Sequence, residues 1–275
     1  EKCQLTGNSS SDTVRFITSS GGQISDSTIT GGKSALLIER ASSALIGKSK
    51  AVTITGAETG ITVHGSSNVE IINTTINSNS GDGINANRNS SVYLGGDNTI
   101  TNSGGYAVRL ARGSTLSNKC SKTNNISSNS KGVFIAMWGS EASLCNMTLS
   151  SNGVIISAQT NSTVFLTDSS ITSSSERVID SKGGVALEID NTSITGNSSQ
   201  EAVQLNDGSN LHISGSTVSG GKAGISAVYN STVRLHGGNT ITGNAQHGIH
   251  LLNSTLHQYS DVSTTTISSN TGSEI

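Results

Sequence analysis

The chain has 275 residues, of which only 32% are hydrophobic and 3% aromatic, with 32 Gly and no Pro. Its 16 basic and 18 acidic residues leave a net charge of −2, which argues against nucleic acid or an anionic membrane as a partner recognised by bulk charge. No apolar stretch approaches the roughly 20 residues needed to cross a bilayer, so no membrane insertion is expected.

A conventional globule would be short of core at this composition. Disorder, however, goes with high net charge and abundant Pro, whereas this chain is rich in Ile, Val and Thr. Repetition resolves the conflict. A polar-aliphatic-polar triplet, usually Thr-Ile-Thr, centres on Ile29, Ile54, Ile76, Ile100, Ile126, Leu149, Ile171, Ile194, Val218, Ile241 and Ile267. The period is about 24 residues.

Roughly seven residues after each triplet comes a small-aliphatic-x-aliphatic motif, such as Gly60-Ile61-Thr62-Val63 or Ala202-Val203-Gln204-Leu205. A third motif reads aliphatic-x-aliphatic after a Ser/Asn-rich turn, as in Val69-Glu70-Ile71, Val92-Tyr93-Leu94 and Val164-Phe165-Leu166. All three alternate apolar and polar residues, the period-two signature of a half-buried strand. They predict an all-β chain, a right-handed single-stranded parallel β-helix of about eleven coils with three short strands per coil. Residues 1–275 would form a single domain, a rod of roughly 50 Å. The absence of Pro follows, because nearly every strand is central and must donate its N–H.

The corners carry Asn, Ser and Gly, residues that tolerate positive φ or bond their own backbone. Asn79, Asn102, Asn129, Asn152, Asn197, Asn244 and Asn270 fall about three residues after a triplet centre and are expected to stack as an asparagine ladder. At both ends the pattern is cut rather than capped, so a longer native chain is expected. Of the cysteines, Cys3, Cys120 and Cys145, the last two lie about one coil apart. They either pair across stacked turns, which favours an oxidising compartment, or are separate free thiols.

Repeats such as Ser193-Ile194-Thr195-Gly196-Asn197 followed by Ala202-Val203-Gln204-Leu205 and Leu211-His212-Ile213 resemble those of pectate-lyase-like parallel β-helix proteins. The run from Gly183 to Leu256, including Gly220-Gly221-Lys222-Ala223-Gly224-Ile225 and Gln246-His247-Gly248-Ile249-His250, resembles pertactin-like autotransporter passenger domains. The chain departs from those in lacking Pro-rich loops. The resemblance implies a bacterial surface adhesin, displayed at the outer membrane or secreted.

Catalysis on such a fold needs carboxylates converging on a groove. The densest acidic set is Asp168, Asp180, Glu188 and Asp190, and no family motif maps onto it, so no catalytic residue, metal or cofactor is assigned. In the second strand, Phe134, Ile155 and Ile179 are expected to face outward on consecutive coils, near Trp138 in a longer loop, either as an interface or covered by that loop. In the third strand, His212, Arg234 and His257 climb successive coils and suit acidic glycans, or else form a hydrated face. The reading is a non-catalytic adhesin binding host matrix protein, glycan or a neighbouring copy through these two sets. The alternatives are a polysaccharide lyase, hydrolase or tailspike-like depolymerase and, through the Thr-x-Thr ladder, an ice-binding protein.

Overall fold

The computed structural model describes residues 2–151, 153–259 and 264–275. Across them the chain forms thirty-four short strands and no helix. Every third strand pairs with its equivalent one coil away, always in parallel, to give three sheets of twelve, eleven and eleven strands. These are called the first, second and third sheets, after the three sequence motifs.

In the first sheet all eleven triplet centres stack in register, from Ile29 beside Ile54 to Ile241 beside Ile267. Below them lies one more strand, Cys3–Thr6, whose Leu5 continues the column beneath Ile29. The second sheet supplies two inward columns. One runs through Leu36, Ile61, Ile84, Val108, Phe134, Ile156, Ile179, Val203, Ile225 and Ile249. Aliphatic side chains from the three sheets meet in one continuous core, each burial contributing about 1.5–3 kcal/mol.

Polar ladders close the three corners. Where the second sheet turns into the third, Ser42, Ser67, Ser90 and Ser114 stack. The Oγ of Ser67 receives the backbone N–H of Ser42, that of Ser114 receives the N–H of Ser90, and each hydroxyl donates to the carbonyl three residues before it. At the corner from the third sheet to the first, Asn98 accepts from the N–H of Thr74 and donates to Ile71 O and to Asn124 Oδ1. Farther along, Ser169, Thr192, Ser216 and Asn239 do the same work for the N–H groups of Met147, Ser169, Thr192 and Ser216. The buried backbone donors of these turns are thereby satisfied.

The expected asparagine ladder exists only in pieces. Asn79 accepts from Ala57 N, Asn129 from Ser103 N, and Asn270 from both N and Nδ2 of Asn244. Asn102 is instead an exposed residue with φ 56°, and the buried Ser103 takes the inward position without its Oγ making a hydrogen bond, which breaks the ladder there. Asn197 turns to Glu176 O and caps its own turn, while Asn152 lies outside the described residues. Cys120 and Cys145 are bonded, with Cα atoms 5.1 Å apart, and Cys3 is free and exposed. Beside the bridge, Asn118 takes the inward position next to Leu94 and exchanges two hydrogen bonds with the Cys145 backbone.

Candidate functional site on the third sheet

The x position of the third motif faces solvent, and parallel pairing lines these residues into one column. It runs Gln23, Leu45, Glu70, Tyr93, Ser117, Ser143, Phe165, Glu188, His212, Arg234 and His257. Steps of about 4.8 Å separate neighbours. The predicted line His212, Arg234 and His257 is thus present in register. Phe165 and Glu188 extend it downward, although the sequence reading did not connect them to it.

Around the upper part of this column lies a groove of about 210 Å³ whose walls include Phe165, Glu188, Asp190, His212, Ser214 and His236. Arg234 donates from Nη1 to Nε2 of His212 at 3.2 Å, which requires a neutral imidazole with Nε2 as acceptor. In agreement, partial burial and then the charge of Arg234 hold the His212 pKa below the usual histidine value. His236 stands 5.5 Å from the His212 ring and stacks flat on Tyr259 at 4.6 Å. On the strand Ala186–Asp190, Glu188 and Asp190 are two residues apart and so point to the same outer face. Asp190 accepts from Ser214 Oγ at 2.5 Å.

Lower on the same sheet a second groove, of about 370 Å³, is walled by Leu45, Glu70 and Tyr93 with Asn68 and Ser91. Each groove thus pairs a glutamate with an aromatic ring on an adjacent coil, after Glu70 in the lower and before Glu188 in the upper, and the serines Ser117 and Ser143 separate the two. A larger depression of about 500 Å³ lies over the first-sheet corner near Asn129. Its lining is Ser, Thr and Asn, with no group able to move a proton near neutral pH.

The predicted apolar patch is not on the surface. Phe134, Ile155 and Ile179 are 2%, 0% and 1% exposed and belong to the core. The outward second-sheet column is Arg109, Ile135, Ser157, Asp180 and Gln204, so on the three coils of the patch the outward residue lies one, two and one positions after the expected one. In the strand Gly132–Met137 every side chain is apolar, so no polar residue marks which face is out, and a slip of one exchanges the faces. Nor is there a long loop at 136–143: Ala136 and Met137 end the strand, and Trp138 and Gly139 make a tight corner. Ile135 and Met137 do face outward, but they pack with Ala111 beneath Tyr106. Only Trp138 is exposed, at 50%, with the Arg112 guanidinium 5.6 Å from its ring.

The four carboxylates divide between faces. Asp180 is on the second sheet 3.9 Å from Arg177, its pKa raised by burial against the pull of Arg177 and Lys182. Glu188 and Asp190 are on the third sheet, with Asp168 at the adjoining corner, held by Asn191. Among the described residues no group of three His, Cys, Asp or Glu side chains could hold a metal ion.

Three parallel sheets wound from one chain, with a polar and aromatic lateral face, define the class of parallel β-helix proteins. The chain belongs to the right handed beta helix region family, whose model matches residues 1–152 and 134–275. A search of curated proteins finds no match. Among solved structures the chain is similar to the crystal structure of the Agl-KA catalytic domain, with a TM-score of 0.54 and 13% identity. The similarity covers 93% of this chain and 62% of that one, so the chain spans less than two thirds of it, and the likeness is one of fold.

Proposed function

We propose that the chain is a carbohydrate-binding β-helix in which an extended polysaccharide lies along the outer face of the third sheet. One observation carries this reading: the single column in which Glu70 and Tyr93 and, past Ser117 and Ser143, the run Phe165, Glu188, His212 and Arg234 occupy successive coils. Aromatic rings give a sugar chain apolar platforms, and carboxylate, imidazole and guanidinium groups fix its hydroxyls. Repetition over many coils sums weak contacts. In this reading the chain is secreted or displayed on a cell surface as an adhesin, with a host matrix or envelope glycan as partner. The disulfide fits the oxidising compartment this requires.

A second reading, a carbohydrate-active enzyme, draws support from Glu188 and Asp190 sharing one groove wall and from the fold neighbour being a catalytic domain. Two carboxylates flanking a sugar bond are the minimum for glycoside hydrolysis. One experiment separates the two. The chain is incubated with a polysaccharide panel, and both retention and new reducing ends are measured for wild type, Phe165→Ser and Glu188→Gln. Retention that falls in both variants without chain shortening supports binding alone. Shortening lost in Glu188→Gln moves the assignment to the enzyme, and unchanged retention in Phe165→Ser removes the third-sheet face from consideration.

A further inference from the structure

A different part of the molecule carries a second site. At the corner between the second and third sheets two consecutive residues per coil adopt positive φ, and on successive coils the first of them is Arg40, Gly65, Arg88, Arg112 and Trp138, with φ of 59°, 66°, 57°, 53° and 54°. Backbone bonds stack these turns. Arg88 N donates to Ala111 O, Arg112 N to Met137 O, and Asn89 N to Arg112 O. Adjacent coils are about 4.8 Å apart, so Arg88 and Arg112 are immediate neighbours and Trp138 closes the row.

On other coils the same position is held by Thr18, Thr160, Gly183, Asp207 and Tyr229, so the backbone there takes side chains of several kinds. Other arginines are paired: Arg109 with Asp82, Arg177 with Glu201, and both Arg15 and Arg40, the latter at 3.9 Å, with Glu39. Among the described residues Arg88 and Arg112 have no ion-pair partner, and Arg112 stacks on Trp138 instead. The row is felt nearby. The His64 pKa is lowered, first by burial and then by Arg88, with Arg112 adding to it against Glu39.

We infer that the corner from Arg88 to Trp138 is a binding site for an anionic polysaccharide, one bearing sulfate or uronate groups along a single chain. Guanidinium forks in single file match carboxylates or sulfates repeated along a strand, and Trp138 offers a flat apolar face to a sugar ring. Nucleic acid fits less well, because the net charge of −2 provides no broad positive field beyond this row. The site is separate from the third-sheet grooves and does not depend on them.

Trp138 is the only tryptophan, so its fluorescence reports occupancy directly. Titration with heparin and with polygalacturonate is expected to give a saturable change whose affinity weakens as salt rises. Arg88→Gly/Arg112→Gly, which suits the positive φ and leaves the fold intact by circular dichroism, is expected to weaken binding at least about tenfold, and Arg88→Lys/Arg112→Lys by less. Phe165→Ser is expected to leave this titration unchanged. The inference is overturned if wild type binds neither polyanion, if the glycine variant binds as tightly as wild type, or if neutral dextran or single-stranded poly-dT matches heparin.

Discussion

Across one coil step, the guanidinium of Arg234 donates to Nε2 of His212, and this bond can exist only while the imidazole is neutral. His212 and His64 both have pKa values below the ordinary 6.5. In the window between that value and the lowered ones, the unfolded chain binds more protons than the folded one, so stability rises with pH there and falls on acidification. Proton-monitored NMR titration is expected to place both histidines below 6.5. Arg234→Gln is expected to bring His212 back toward 6.5 while leaving His64 in place.

The bridge between Cys120 and Cys145 closes a loop of one coil. In the chain-entropy picture such a loop contributes about 3 kcal/mol. Cys120→Ser/Cys145→Ser is expected to lower the urea midpoint accordingly. In the native oxidised chain a maleimide is expected to label one thiol, at Cys3, and all three cysteines after reduction and unfolding.

Phe134 and Trp138 are four residues apart and behave oppositely. Phe134→Ala leaves a cavity in the aliphatic column and is expected to cost about 3–5 kcal/mol. Trp138→Ala removes a half-exposed ring and is expected to change stability by about 0.5 kcal/mol or less. Equal effects in equilibrium unfolding would mean that the register of the strand Gly132–Met137 is not the one described.

Asn98 makes three buried hydrogen bonds at one corner, to Thr74 N, Ile71 O and Asn124 Oδ1. Asn98→Ala strands these partners and is expected to cost about 1–3 kcal/mol. Hydrogen exchange read at the Thr74 amide is expected to accelerate before exchange elsewhere in the rod.

Legibility from sequence tracked polarity contrast. Each first-sheet centre sits between two hydroxyl or amide side chains, so every one from Ile29 to Ile267 was placed in register, and only the strand containing Leu5 was passed over. The second sheet misled where contrast disappeared, in the run from Val133 to Met137, and the slip carried into neighbouring coils although Ser157 and Asp180 mark the true outer face. Serine at the corners looked like generic turn chemistry. That Ser42, Ser67, Ser90 and Ser114 bond one another across coils depends on three-dimensional stacking, which a linear reading does not display. At the candidate site, His212, Arg234 and His257 were found because they are chemically alike. Phe165 and Glu188 were missed because a search by residue type stops where the type changes, whereas the column does not.

The regular winding makes the outer surface a lattice with two known spacings, one step per coil along the axis and one step per two residues along each strand, about 4.8 Å by 6.6 Å. A position in the sequence is therefore also a coordinate on the rod. Groups can be moved along the axis by whole coils or across the face by pairs of residues without altering the interior columns, so the distance between the Tyr93 and Phe165 platforms can be lengthened or shortened by inserting or removing one serine-bearing coil. The spacing that a ligand prefers then becomes something the chain itself can be used to measure.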